Sequence, residues 1–143
     1  MVCLCKTPCP VAKNTIRPPL RCPMILRFVE NIEKTIASNP IVLSSDIQKQ
    51  FGPENETVYL KGSLLFIDLS ILEIAIFANK LHNEVFIDKY RFHYMDKEGH
   101  ILFRYDNAPH HPEIPSFPHH KHISNKIVPS NLTSLKDVLN LSY

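Results

Sequence analysis

Residues 90–106, Tyr90-Arg-Phe-His-Tyr-Met-Asp-Lys-Glu-Gly-His-Ile-Leu-Phe-Arg-Tyr-Asp106, contain two segments in which apolar and polar side chains alternate. The turn-forming run 96–99 separates them, which predicts an antiparallel hairpin closed by a four-residue loop with Gly99 in the left-handed conformation. That loop pairs Tyr94 with Ile101 and Phe92 with Phe103, and one face of the hairpin is then wholly aromatic and aliphatic. The opposite face carries Lys89, Arg91, His93, Arg104 and Asp106.

The rest of the chain predicts an α+β fold around this hairpin. Apolar residues recur every three or four positions over 25–36, which is typical of an amphipathic helix that covers one face of a sheet. Further strands are predicted at 41–50, 57–67 and 71–78, before the hairpin strands 85–95 and 100–106. A short final helix is predicted over 135–141, with a cap at Ser134 or Thr133. We therefore expect one helix packed on an antiparallel meander of four to five strands, with a short C-terminal helix.

Composition limits the class of protein. The chain has 143 residues, 44% hydrophobic and 21% charged, which suits a single globular domain. Its net charge of +2 is unevenly placed: residues 1–23 hold four of the 16 basic residues and no acid, leaving 12 basic against 14 acidic residues in 24–143. The main part of the chain is therefore not a broadly cationic nucleic-acid binder.

The N-terminal segment 1–23 also holds all four cysteines, Cys3, Cys5, Cys9 and Cys22. Their spacing matches no common zinc pattern, and disulfides confined to this segment could not hold the rest of the chain together. Neither a secretory signal nor a membrane-spanning run is recognisable. We expect residues 1–23 to be a disordered extension ahead of a natural start at Met24, residues 24–143 to form one domain, and the protein to be cytoplasmic.

Five of the eight histidines fall within the proline-rich segment 107–122. Prolines at 109, 112, 115 and 118 have the period of a polyproline II helix, which at about 3.1 Å per residue places His110 and His119 roughly 28 Å apart. Two histidine pairs at that distance cannot share one ion, so we expect no metal and no other cofactor. A metal site would require this segment to bend, or a smaller set such as His120 and His122 joined by His93 or Asp106.

Ribonuclease chemistry makes fewer demands on this segment. Cleaving RNA without a metal requires a base for the 2′-hydroxyl, an acid for the leaving oxygen and fixed cations on the phosphate, which histidine and arginine supply. The candidate catalytic residues are His93, Arg104, Asp106, His110, His111, His119, His120 and His122. The candidate RNA-phosphate ligands are Lys89, Arg91 and Lys121. The alternatives are a solvated sheet face with surface histidines, or a segment that binds a protein or an ion without catalysis.

Three stretches of the sequence resemble the TumE family of prokaryotic toxins. They are Tyr90-Arg-Phe-His-Tyr-Met-Asp-Lys-Glu-Gly-His100, Phe103-Arg-Tyr-Asp-Asn-Ala-Pro-His-His-Pro112 and Phe117-Pro-His-His-Lys-His122. The likeness extends over about residues 24–143, and it departs from the family at Asp68-Leu-Ser70, where Asp-Gly-Ser is usual.

The resemblance implies a growth-inhibiting toxin that pairs with a helix-turn-helix antitoxin encoded beside it. It supplies no catalytic residues, so the roles given above come from the residues themselves. The predicted architecture is also similar to that of RelE and barnase-type ribonucleases, which is an analogy of fold alone.

Overall fold

The computed structural model describes residues 23–141, so the predictions for 1–22 and for the last two residues lie outside the described part of the chain. The order of elements is α1 (Met24–Ala37), β1 (Val42–Phe51), a 3-10 turn (Pro53–Asn55), β2 (Thr57–Phe66), β3 (Ile71–Leu81), β4 (Glu84–Met95), β5 (Ile101–Asp106), β6 (His120–Ile123), β7 (Lys126–Pro129) and α2 (Leu135–Leu141). The α+β class and both helices are confirmed. None of the helices in residues 23–141 is long and apolar enough to cross a membrane.

Within residues 23–141 the strands form one antiparallel sheet in the order β1 to β7. The prediction of four to five strands was wrong because β6 and β7 each have four residues. Strands this short lack enough positions to show an alternating pattern, and β6 is paired with β5 rather than marked by its own sequence.

One face of the sheet holds the hydrophobic core. Alternate residues of β2 to β5 are buried there, and α1 contributes Ile25, Val29 and Ile36 to the same cluster. Helix α2 packs into this cluster through Leu135, Val138 and Leu139. Both helices therefore cover the same face, and the opposite face of the sheet is free to carry polar chemistry.

Helix α2 begins with the predicted cap at Ser134. The Ser134 hydroxyl accepts a hydrogen bond from Asp137 N at 3.2 Å, and Ser134 N donates to Asp137 Oδ2 at 3.0 Å. These reciprocal bonds satisfy two backbone donors at the start of a seven-residue helix.

The central hairpin differs from its predicted pairing by two residues. Tyr94 pairs with Phe103 and Phe92 with Tyr105, because the loop has five residues rather than four and Leu102 is an extra residue on β5. Gly99 has the predicted left-handed conformation, with φ of 85°. The longer loop and the extra residue Leu102 each shift the pairing by one residue, and together they leave the predicted alternation of side chains unchanged. The division into an apolar and a charged face is therefore confirmed, although the cross-strand partners differ.

The turn between β2 and β3 keeps a tight geometry despite its leucine. Leu69 has φ of 67°, its N–H donates to Phe66 O at 2.9 Å, and Phe66 N donates to Ser70 O at 3.0 Å. Asp68 Oδ1 accepts from Ser70 N at 3.0 Å, which fixes the turn from its side chain. A leucine thus occupies a left-handed position that suits glycine.

Candidate functional site

Residues 107–119 are folded into consecutive turns. Ile114 N donates to His111 O, Phe117 N to Ile114 O, and His119 N to Ser116 O, at 3.2, 3.0 and 2.9 Å. The prediction of a straight polyproline II ribbon was therefore wrong, because each three-residue step is closed by a backbone hydrogen bond that an extended helix cannot form. The turns bring the beginning of the segment back over its end.

This folding collects four histidines from two parts of the chain. His120 and His122 lie on β6, while His110 and His111 come from the loop after β5. Ring centroids are 4.2 Å apart for His110 and His111, 4.8 Å for His110 and His120, and 4.9 Å for His120 and His122. We call these four residues the histidine cluster. The distance argument against a shared ion, which rested on a straight ribbon, no longer holds.

Strand pairing explains why the cluster lies on the charged face of the sheet. Arg104 pairs with His122, and Asp106 pairs with His120, so their side chains point to the same side of β5 and β6. Arg104 also pairs with His93 across β4. The helix-free face therefore presents imidazole, guanidinium and carboxylate groups side by side.

Asp106 lies at the centre of this arrangement, with a side chain that is only 6% exposed. Its Oδ2 accepts from Arg104 Nε at 2.9 Å, and its Oδ1 accepts from Ala108 N at 3.1 Å. Oδ1 also lies 2.9 Å from His120 Nε2, at an angle that does not form a hydrogen bond. That short contact is not a hydrogen bond, so Nε2 of His120 has no hydrogen-bond partner among residues 23–141.

Hydrogen bonds assign the nitrogen atoms of two histidines in the cluster. His120 Nδ1 donates to Pro118 O at 2.9 Å, since a carbonyl can only accept. His111 Nδ1 lies 3.1 Å from Glu113 Oε1, which favours a proton on that nitrogen. Both residues therefore keep Nε2 for other partners.

His122 is held neutral by its surroundings. Its Nε2 accepts a hydrogen bond from the Arg104 guanidinium at 2.9 Å, since arginine can only donate. Burial, and then the positive charge of Arg104, lower the pKa of His122 to about 4. Asp106 acts in the opposite direction and only partly offsets them.

A cleft of about 700 Å³ adjoins the cluster on the same face of the sheet. Its floor contains Tyr59, Ala75 and Phe77 from β2 and β3, and its walls carry positive side chains from β4 and β5. It reaches the histidine cluster at one end. The lining residues that bear on chemistry are Tyr59, Phe77, Lys89, Arg91, Arg104, Asp106 and His110.

Other residues with a predicted site role lie elsewhere. Lys121 alternates with His120 and His122, so it points to the core side, where its Nζ lies 5.1 and 4.7 Å from the ring centroids of Phe103 and Tyr105. His119 stacks on Tyr90 and lies 2.9 Å from its hydroxyl through Nδ1. Lys121 was predicted with Lys89 and Arg91 as an RNA-phosphate ligand, but its side chain lies on the opposite face of the sheet, because a strand alternates its side chains between the two faces.

His93 lies next to Arg104 on the neighbouring strand, but it does not line the cleft. Its Nδ1 is 3.7 Å from Glu73 Oε2, and its Nε2 is buried without a hydrogen-bond partner among residues 23–141. Burial is the main cause that lowers its pKa; Arg104 and Arg91 lower it further, and Glu73 opposes them. The structure thus places His93 as a neutral neighbour of Arg104.

Sequence reasoning missed the aromatic floor of the cleft. Tyr59 and Phe77 are cross-strand partners on the face opposite the core. A signal was present, since the second alternating set of positions in strands 57–67 and 71–78 is not uniformly polar. It includes Tyr59, Ala75 and Phe77 beside the polar residues Lys61, Ser63 and Glu73. A partly apolar second face on an antiparallel pair is a reason to expect a binding surface there.

Comparison with known proteins gives one family. The family model described as Toxin TumE matches residues 32–141, which is more than half of the chain. Neither the curated proteins nor the solved structures contain a match to this chain.

Proposed function

This chain belongs to the TumE toxin family, and from that premise we propose that it inhibits growth as a metal-independent endoribonuclease that acts on RNA in the cytoplasm. Membership of this family supports the role of a toxin. The cleft and the neighbouring imidazoles are what support RNA as the target and cleavage as the activity.

The continuity between the cleft and the histidine cluster carries the proposal. A single RNA strand needs flat side chains against which bases stack and cations along its phosphates. Tyr59 and Phe77 provide flat side chains for stacking, and the cations are Lys89, Arg91 and Arg104. His110 lines the same cleft, so a phosphate held at Arg104 lies next to imidazole groups.

Two adjacent histidines can perform the proton transfers. We assign His110 as the base that takes the proton from a ribose 2′-hydroxyl, whose oxygen then bonds to phosphorus. His111, whose Nδ1 lies 3.1 Å from Glu113 Oε1, donates a proton to the leaving 5′-oxygen as its bond to phosphorus breaks. The products are a 2′,3′-cyclic phosphate and a free 5′-hydroxyl, and charge and protons balance without a metal ion.

Arg104 and Asp106 have supporting roles in this scheme. The guanidinium stabilises negative charge on the phosphoryl oxygens as it develops, which is the largest contribution in many such reactions. Asp106 holds Arg104 through Nε, and Arg104 lines the cleft in which the phosphate would lie. Asp106 is thus a positioning residue, while Arg104, His110 and His111 contact the substrate.

The test is cleavage of single-stranded RNA by the purified full chain with excess EDTA. We expect cyclic phosphate ends, no cleavage of DNA of the same sequence, and a loss of about 100-fold or more in rate for His110→Ala. His82→Ala, an exposed histidine in the turn between β3 and β4, is the matched control and retains full rate. Full activity of His110→Ala, or no cleavage of any RNA by the unmodified protein, would overturn the proposal.

An antitoxin partner is part of the same proposal. We infer that a small helix-turn-helix protein encoded next to this chain binds it and relieves toxicity, as the family suggests. Co-expression of the neighbouring gene should restore growth and give a complex that elutes together in size-exclusion chromatography. A neighbouring product that neither binds nor restores growth would argue against this partner.

A further inference from the structure

We propose that His110, His111, His120 and His122 form a binding site for a divalent transition-metal ion of the Zn²⁺ type, and that the bound ion switches off RNA cleavage. The metal site is argued from the cluster itself. The effect on cleavage rests on the proposed ribonuclease function.

The four side chains already surround a common point. Each offers one ring nitrogen, and these four nitrogens all lie within 4.8 Å of one another. Zinc–nitrogen bonds of about 2.0–2.1 Å place tetrahedral ligands about 3.4 Å apart, so the widest pair has to close by at most about 1.4 Å. His120 and His122 are fixed by strand pairing, whereas His110 is exposed on a loop and can make that movement.

His120 gives an independent indication of a ligand. The residue is 1% exposed, and its Nε2 has no hydrogen-bond partner among residues 23–141. Its ring centroid lies 4.8, 5.0 and 4.9 Å from those of His110, His111 and His122. A buried polar atom without a partner is costly, and an ion that accepts its lone pair removes that cost. The proton on Nδ1, donated to Pro118 O, leaves Nε2 in the form that binds metals.

The surrounding groups resemble the outer shell of a metal site. Metal-binding histidines commonly donate their second N–H to a carbonyl or carboxylate, as His120 does to Pro118 and His111 does to Glu113. Asp106 Oδ1, 2.9 Å from His120 Nε2, adds negative charge at the edge of the site. The Arg104 guanidinium now bonded to His122 Nε2 has to move aside, so it competes with the ion.

The ligand set selects a class of ions. Imidazole nitrogen binds zinc, copper, nickel and cobalt well, whereas magnesium and calcium prefer oxygen ligands. Four imidazoles close a tetrahedral site and leave no position for an activating water, as in structural zinc sites. The bound ion also occupies the ring nitrogens through which His110 would accept a proton and His111 would donate one, which is why we expect inhibition rather than activation.

The experiment measures binding and cleavage separately on the full chain. Cysteines 3, 5, 9 and 22 are replaced by serine so that the N-terminal thiolates cannot bind the ion. Titration with ZnCl₂ by calorimetry gives stoichiometry and affinity, and CoCl₂ gives visible absorption bands without the near-ultraviolet band of a thiolate ligand. We expect one ion per chain and tetrahedral cobalt bands.

Variants locate the ion. His110→Ala and His111→Ala change loop residues and should each weaken binding by more than about 100-fold, since even loss of an outer-shell partner costs about 10–100-fold. His82→Ala is the control with unchanged affinity. His100→Ala tests the other group of potential ligands, Asp96, Glu98 and His100 at the hairpin turn, and loss of binding there instead would overturn the site.

The two proposals fail in different ways. Absence of stoichiometric binding, or binding unaffected by both loop variants, overturns the metal site and leaves metal-free cleavage untouched. Cleavage that rises when zinc is added overturns inhibition and also the metal-independent mechanism. Binding as described with no RNA cleavage under any condition retains the metal site and rejects the ribonuclease. We expect stoichiometric zinc to stop cleavage and EDTA to restore it.

Discussion

Asp106 Oδ1 lies 2.9 Å from Nε2 of His120, and both side chains are almost completely buried. The carboxylate also holds Arg104, so one acid joins β5, β6 and the loop that follows β5. An acid in this position holds the Arg104 guanidinium beside the imidazole ring of His120. The site depends on it for both geometry and charge balance.

We expect Asp106→Asn to lower the free energy of unfolding by about 1.5–3 kcal/mol, because the buried carboxylate accepts a charge-assisted hydrogen bond from Arg104 that a neutral amide weakens. Urea unfolding measures the change. Asp88→Asn is the control, since Asp88 is exposed at the cleft and should cost less than about 0.5 kcal/mol. Equal stability of the two variants would show that the Asp106 contacts contribute little.

The aromatic floor of the cleft should bind RNA bases. Tyr59→Ala and Phe77→Ala should each weaken binding of a short single-stranded RNA by about 1–3 kcal/mol, or about 5- to 150-fold in Kd. Fluorescence anisotropy measures the affinity. Phe86→Ala removes an exposed aromatic side chain of β4 that does not line the cleft, and its affinity should match that of the unmodified protein. Equal losses for all three variants would argue against this binding surface.

How much the sequence reveals depends on the range of the interactions involved. Helix α1 and strands β2 to β5 were predictable because their apolar residues repeat at the period of the element. The exact partners in the hairpin were not, since a five-residue loop and the extra residue Leu102 arise from local backbone geometry. The face that carries Arg91 and Arg104 was nevertheless correct, because a shift by two residues preserves alternation.

The site was predictable in its residue types and only partly in its geometry. The sequence predicted four catalytic candidates that strand pairing does place together: Arg104, Asp106, His120 and His122. The spacing of the prolines did not predict that His110 and His111 lie beside His120 and His122. The same spacing fits an extended helix and also a series of closed turns. Hydrogen bonds such as that from Ser130 N to the Ser116 hydroxyl, at 2.9 Å, connect this segment to a distant part of the chain.

The left-handed leucine between β2 and β3 offers a stabilising substitution. The left-handed conformation costs a residue with a Cβ about 1–2 kcal/mol, and glycine avoids this cost. Glycine also makes the unfolded chain more flexible, which offsets part of the gain. Leu69 is 53% exposed, so little packing is lost. We expect Leu69→Gly to raise the free energy of unfolding by about 0.5–1 kcal/mol in urea. Ile67→Gly, at an exposed position without positive φ, should lower it, and the opposite order would contradict the strain at Leu69.

His93 should make stability depend on pH. Its pKa in the folded protein is below the ordinary 6.5, chiefly through burial, so the unfolded chain takes up a proton that the folded chain refuses. The free energy of unfolding therefore falls as the pH drops below about 6.5. The groups that face His93 are Glu73 on β3 and Arg104 on β5, with Arg91 on its own strand.

We expect His93→Gln to lose less stability than the unmodified protein between about pH 7.5 and about pH 5.5, measured by urea unfolding with EDTA present. His82→Asn changes an exposed turn histidine and should follow the unmodified protein. An unchanged pH dependence in His93→Gln would show that His93 titrates in the folded state as it does in the unfolded chain.

The two faces of the sheet give a final prediction about RNA contacts. Arg91 lines the cleft, whereas Lys121 lies against Phe103 and Tyr105 on the core side. Each phosphate contact on single-stranded nucleic acid contributes about 0.7 to the slope of log affinity against log salt concentration. Arg91→Gln should therefore reduce that slope by about 0.7, while Lys121→Gln leaves it unchanged and instead destabilises the fold through lost cation–π contacts. Binding titrations from low to moderate salt measure the slopes. A reduced slope for Lys121→Gln with no change for Arg91→Gln would place the RNA on the wrong face of the sheet for the proposed mechanism.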